Sequence, residues 1–235
     1  MKKQFVLFVT AAVFSLFGSV AAADYSVDAF EIDHFIDTSP SWYCSISVPE
    51  IRGMADAEEQ KTLNETFVTE AANIQKAYEE SIEEVKADFP DADASEMPHF
   101  GFEYNFERLI NTEKLFVLAT NYYQAAGSSM TNSNYYTFDK ETGKLMDFDS
   151  LFSADDFEAV LTDYLIGEME AANQMGSTFW TDCVAESVQQ IADSRSWYLD
   201  QNGQLVITFE KYEVAPGAMG QSSFTIPNEV MDSIR

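Results

Sequence analysis

The sequence predicts an α+β fold, on three observations. One apolar stripe at helical spacing runs from Asp56 to Phe89, two strand pairs read as hairpins at 100–123 and 197–209, and the strands are grouped rather than alternating with helices. An amino-terminal strand, a long helix and a hairpin form a first unit, and antiparallel strands with two helices form a second. The chain has 235 residues, 46% hydrophobic and 14% aromatic, enough apolar side chain to bury a core.

Taken in order, Met1-Lys2-Lys3-Gln4 is followed by an apolar run from Phe5 to Gly18 and by small residues up to Ala23. That charged, apolar, small-residue order reads as a secretory signal peptide, with cleavage expected before Asp24; an uncleaved membrane anchor, for which the run is short, is the alternative. No Cys stands at the end of the run to anchor a lipid and no later segment is apolar enough to span a bilayer, so the mature chain is expected to be periplasmic or secreted with no membrane span. An oxidising compartment raises the prospect of a bridge between Cys44 and Cys183; two buried thiols are the alternative.

Ser41 to Pro49 alternates as a strand, closed by Pro49 and the Arg52-Gly53 turn. Leu63, Phe67, Ala71, Ile74, Tyr78, Ile82, Val85 and Phe89 then follow at spacings of three and four, one face of a long helix that Pro90 ends. Its other face is solvated acid: 13 Asp and Glu lie between Asp56 and Glu96, against Lys61, Lys76 and Lys86. Phe100 to Arg108 alternates aromatic with polar, and Leu115 to Tyr123 is apolar nearly throughout, so the two predict an antiparallel hairpin turning at 111–114.

The small, polar stretch 125–134 reads as a loop, which divides the chain into a signal peptide at 1–23, a first unit at 24–126 and a second at 127–235. Beyond it lie a strand at 135–138, a turn at 139–144, and a helix beginning near Ser150 with Asp147 or Asp149 as cap. Leu151 to Met169 gives that helix its stripe, and Val184, Val188 and Ile191 a second, with Trp180 at its upstream end. Trp197 to Phe209 is a hairpin turning at Asn202-Gly203, and Ser223 to Pro227 a last strand.

Catalytic patterns are scarce. His34 and His99 accompany no nucleophile motif, no phosphate-cradling glycine run is present, and an EF-hand count from Asp147 fails because Leu151 and Phe152 take positions that need an oxygen ligand and Gly. No catalytic residue, metal or cofactor is therefore expected. With Lys2 and Lys3 lost in the leader, 11 basic residues face 40 acidic ones, a formal −29. Such a field disfavours nucleic acid and anionic lipid and favours a basic partner. Between Leu145 and Ser194 there are 11 acids and no Lys or Arg; these are the polar faces of helices or, functionally, an acidic face around Glu168, Glu170 and Asp182 that steers a cationic protein.

The segment Tyr212-Glu213-Val214-Ala215-Pro216-Gly217-Ala218-Met219-Gly220, followed by Ile226-Pro227, resembles the Tyr-Glu-Val-Ala-Pro-Tyr-Ala-x-Gly…Ile-Pro signature of the RsiV-like family. That family comprises the extracellular domain of the anti-sigma-V factor and accessory domains ahead of a peptidoglycan deacetylase domain. Tyr136 to Asp139 with Thr142-Gly143-Lys144 and Leu151-Phe152, and Ile46 to Ile51 with Leu63-Asn64, are similar to further pieces of it in the same order. The resemblance implies an exported α+β binding or sensor domain and, in the anti-sigma-V branch, recognition of lysozyme, a small basic protein. Tyr212, Glu213, Pro216, Gly217 and Gly220 become binding candidates, although a tight connection between two strands is the simpler explanation of them. Gly217 stands where the family often has Tyr, so one aromatic anchor of its pattern is missing. No sigma-binding segment or deacetylase domain accompanies the match, so neither role is carried over. The expectation is a non-enzymatic envelope binding or sensor protein for a basic, lysozyme-like hydrolase or another envelope component. Its alternatives are an envelope glycan hydrolase using paired carboxylates, and an accessory module.

Overall fold

The computed structural model describes residues 25–235, so the expected leader lies outside the described residues. Among the described residues, two sheets and four helices form an α+β architecture around two hydrophobic clusters. Nine strands are labelled in chain order. β1 (Asp28–Thr38), β2 (Trp42–Arg52), β3 (Phe100–Asn111), β4 (Leu115–Ala126), β5 (Ser128–Asp139) and β6 (Lys144–Leu145) make a six-stranded sheet in that order. β7 (Trp197–Leu199), β8 (Leu205–Phe209) and β9 (Ser222–Thr225) make a second, antiparallel sheet.

The long helix α1 (Ala57–Asp88) starts where the sequence places it. Asp56 caps it by accepting hydrogen bonds from the Glu58 and Glu59 amides at 2.9 and 3.0 Å, and Phe89 ends it ahead of Pro90. Its stripe buries Leu63, Phe67, Ala71, Tyr78 and Ile82 against the large sheet. Phe67 meets Tyr136 edge-on at 5.1 Å, and Tyr78 packs on Phe100 and Phe102 while its hydroxyl donates to Asp37 at 3.0 Å. Asn64 both donates to the Ile51 carbonyl and accepts from the Ile51 amide, tying together two of the pieces that carry the family resemblance.

Because α1 carries the chain across the sheet, β2 and β3 pair in parallel, the one departure from an antiparallel sheet. β2 also runs through Pro49 to Arg52. Proline is tolerated there because β2 has by then parted from β3, and the β1–β2 register shifts between Glu31 and Asp33 at the same place. β1 itself has no counterpart in the sequence reading. Its exposed edge carries Asp, Glu and His among apolar residues, which hides the alternation.

The stretch 125–134 is not a loop. β4 and β5 pair from Leu115↔Asp139 to Ala126↔Ser128, with Gly127 (φ +76°) alone at the tip. Small polar residues form strand here because the backbone ladder to β4, not side-chain burial, holds them. The first cluster consequently reaches Tyr136 and Phe138, with Leu145 packed against it, and the second takes in Phe148 and later residues, with Leu115 and Met146 packed against it.

In the second unit, α2 (Phe157–Gln174), α3 (Val184–Ser194) and α4 (Asn228–Ile234) pack beside the small sheet around Leu161, Leu165, Met169, Val188, Ile191 and Phe209. Neither Asp147 nor Asp149 caps a helix: residues 149–151 form a 3₁₀ turn whose preceding residue is Phe148, and α2 begins only at Phe157. α4, unforeseen in the sequence, buries Met231 and Ile234 and returns the Ile234 carbonyl to the Ser153 amide at 2.9 Å. The sheets meet at β5, where the Tyr135 amide donates to the Arg195 carbonyl at 2.9 Å and the Tyr135 and Tyr198 rings pack at a 33° tilt with centroids 4.9 Å apart.

The Cys44–Cys183 bridge does not form; both are free thiols. Cys44 is sealed in the first cluster, where burial, reinforced by Asp37 and Glu79, pushes its thiol up to about 12, while Cys183 sits half-buried at the start of α3 beside the second cluster. A thiol reagent is expected to modify Cys183 in the native protein and Cys44 only after unfolding. Recovery of no reactive thiol from the unfolded, unreduced chain would instead mean a disulfide.

Candidate binding surface of the carboxy-terminal unit

The residues singled out in the sequence fall into two groups with different structural roles. The first lies in the connection between β8 and β9. Glu213 turns inward: its carboxylate accepts from the Glu210 amide at 2.7 Å, and the Glu213 amide donates to the Glu210 carbonyl at 3.0 Å, closing a tight turn. Val214 and Ala215 are buried, and the Val214 carbonyl accepts from the Trp180 amide at 2.7 Å. Pro216 opens a 3₁₀ turn over Gly217–Met219, which Gly220 ends. Of the five candidates in this connection Tyr212 projects furthest, 55% exposed and in the left-handed region (φ +73°) that residues with a Cβ seldom adopt.

Gly217 has a specific steric reason. A Cβ there would lie 2.2–2.5 Å from the end of the Tyr212 ring, so the phenol occupies the space over residue 217 that a larger side chain would need. The aromatic missing at 217 is thus replaced in space by one from 212. Lys211 holds the arrangement from the other side, its Nζ 5.1 Å from the Tyr212 ring centroid and donating to the Ser129 carbonyl at 2.6 Å.

The second group is acidic. Glu168, Glu170 and Asp182 are all exposed. Glu168 and Glu170 flank buried Met169, about 100° to either side of it around the helix axis, so they border α2 rather than forming one cluster. Asp182 lies in the 3₁₀ turn at Thr181–Cys183. Among the described residues, no three of His, Cys, Asp and Glu converge as metal ligands.

Sequence reasoning missed three side chains. Met175 is 84% exposed, and Trp180 and Met219 are each 37% exposed. Trp180 belongs to no helical stripe: it lies in the connection 175–180, which Asn173 fixes by bonding both the Phe179 amide (2.7 Å) and its carbonyl (3.0 Å). The available signal was position, since a large aromatic placed between Gly176 and the next helix has no stripe to join.

Glu210 anchors the whole connection. Its Oε1 accepts from the Ser133 amide at 2.7 Å and from Gln221 at 3.2 Å, while buried Oε2 has no partner. Burial pushes this carboxyl above the usual range; the two hydrogen bonds act against the rise and Glu213 adds to it. The folded state therefore holds the proton more tightly than the unfolded one, and stability falls as pH climbs from the ordinary carboxylate value to the raised one. Glu210→Gln is expected to flatten that part of the stability profile, above about pH 4, as read from urea midpoints. Parallel profiles for the two proteins would show that Glu210 carries none of the pH dependence.

Residues 149–229 match the family described as protein of unknown function DUF3298. Over 192 residues the chain is 27% identical to anti-sigma-V factor RsiV of Bacillus subtilis, covering 80% of this chain and 64% of that protein, so it spans somewhat less than two thirds of its relative. In fold it is similar to the crystal structure of a DUF3298 family member from Bacteroides fragilis, with a TM-score of 0.61 and 18% identity over 90% of this chain and 94% of the other. α2, α3, the small sheet and the Tyr212 connection thus lie within the region, 149–229, that matches DUF3298, and the chain is similar to RsiV over most of its length.

Proposed function

We propose that the protein is an exported, non-enzymatic binding or sensor protein of the cell envelope. Its DUF3298 domain takes a basic protein, such as a lysozyme-like hydrolase, on the surface formed by α2, the 175–182 connection and the Tyr212 loop. The observation that carries this reading is the combination of exposed Tyr212, Trp180, Met175 and Met219 with neighbouring acids in a stretch, 145–194, that has no Lys or Arg. Aromatic and Met anchors within a charged border are how protein interfaces divide affinity from steering. The strained backbone at Tyr212, over a glycine that leaves room for its ring, holds one anchor ready before contact. Similarity to an anti-sigma factor and the leader expected ahead of Asp24 support placement outside the cytoplasm.

Binding of a basic lysozyme to the mature chain, measured at about 0.05 M and about 0.5 M salt, tests the reading. Combining Glu168→Lys, Glu170→Lys and Asp182→Lys is expected to slow association at least about tenfold at low salt and to flatten the salt dependence. Tyr212→Ala is expected to act on dissociation instead. Binding undiminished by the charge reversal rejects the acidic surface. Release of product from purified peptidoglycan, abolished by a single Asp or Glu change, would favour a glycan hydrolase using paired carboxylates.

A further inference from the structure

The face of the large sheet that α1 covers is apolar along most of its length, from Phe116, Leu118 and Phe138 to Phe102 and Ile46. At one place it turns polar. Glu70 and Asn73 on α1, Tyr104 on β3, Thr120 and Tyr122 on β4, and Asn132 and Asn134 on β5 surround a cavity of about 350 Å³, with Ile74 as a further apolar wall. The register explains the convergence: Thr120 pairs with Asn134 and Tyr122 with Asn132, so all four lie on one face.

Thr120 is 2% exposed; the Tyr104 and Tyr136 phenols lie beside its Oγ1, but neither makes a well-aligned hydrogen bond with it. A buried hydroxyl left unpaired is costly, and a valine would fill the same space without that cost. Tyr104 donates to Oε2 of Glu70, a lining residue, at 2.9 Å, and Oε1 is the carboxylate's second acceptor. Burial, with the Glu70 charge beside it, pushes the Tyr104 phenol well above its usual range, so it stays a donor at any physiological pH.

The geometry points to a binding site for a neutral, hydroxyl-rich ligand, a saccharide unit, held between α1 and the sheet. Amides, phenols, a hydroxyl and one carboxylate offer donors and acceptors in the mixture that sugar hydroxyls need, and the Tyr rings and Ile74 supply apolar contact for the ring carbons. An anion meets Glu70 with no cation in the lining, and an apolar ligand would strand Thr120 and the three amides. The volume lies at the small end of ligand pockets, which suits one sugar ring rather than a long chain. This site is on the opposite unit from the Tyr212 loop and does not depend on that reading.

The mature chain is titrated by calorimetry and by backbone amide chemical shifts with maltotriose, cellotriose and chitotriose up to about 10 mM, with trialanine as the control. Saturable binding of at least one trisaccharide, with shifts centred on Thr120, Tyr122, Asn132 and Asn134, is expected. Thr120→Val should weaken that binding at least about tenfold while raising the midpoint of thermal unfolding, a pairing that a merely structural threonine would not give. Asn132→Ala, on the exposed rim, provides a second variant that folds and is expected to lose affinity. Absence of binding by all three sugars, saturation by trialanine alone, or unaltered affinity in Thr120→Val overturns the proposal.

Discussion

Phe67→Ala is expected to cost about 3–5 kcal/mol of folding stability, measured as the shift in urea midpoint multiplied by the slope. Phe67 is fully buried between Leu63 and Ala71 on the stripe of α1, with its edge on the Tyr136 face. No neighbour is placed to collapse into the space, because the helix spans the sheet and is held at Asn64 on one side of Phe67 and at Tyr78 on the other. The helix has little else to rely on. Its outer face puts Glu79 four residues from Glu83 and Glu80 four from Glu84, while the pairs Lys61–Glu65, Lys76–Glu80 and Lys86–Glu83 are exposed and contribute only a few tenths of a kcal/mol each. Added salt should therefore recover some of the loss by screening the repulsion. A cost below about 1 kcal/mol would mean that α1 is not seated on the sheet through this ring.

The second large effect is at Gly53, immediately after β2. Its φ of +87° lies in the left-handed region, and a Cβ would stand 2.3 Å from the Ser26 carbonyl oxygen, a backbone atom that cannot rotate away. Around it the chain is laced to its own beginning and to the β5–β6 turn: Tyr25 donates to the Lys140 carbonyl at 3.0 Å and Ala55 to the Gly143 carbonyl at 2.8 Å. Gly53→Ala combines the left-handed penalty of about 1–2 kcal/mol with an overpacking cost of about 1–3 kcal/mol. Gly127→Ala is the matched control. It shares the positive φ but meets nothing within 4 Å, so the first cost alone should appear. Equal losses at the two sites would show that the contact with Ser26 carries no weight.

What was legible in the sequence is what side-chain period alone determines. The stripe from Leu63 to Ile82, the aromatic alternation of β3 and the Asn202-Gly203 hairpin each state their own structure, because helix, strand and turn differ in the spacing of buried residues. Residues 128–134 failed because both faces of that stretch are polar and only pairing with β4 makes it a strand. β1 failed for the related reason that an edge strand buries little more than Ala29 and Phe35. The candidate surface was half legible. Tyr212, Glu213 and the Pro216–Gly220 turn came from a motif, but that Glu213 turns inward and that Tyr212 lies over Gly217 depend on a left-handed residue which no pattern of types announces. The cavity beneath α1 was hidden altogether, since its members come from four elements and meet only through the register.

Strand β5 has one further consequence. It donates Tyr135 to Arg195 and Ser133 to Glu210 while also completing the ladder to β4, so it serves two masters at once. Scissors applied at the start of the DUF3298 match would leave the downstream fragment with a raw seam where Tyr198 and Arg195 had lain against tyrosines, and the upstream one with orphaned amides. The two halves are better understood as tenants of a common wall than as beads on a string.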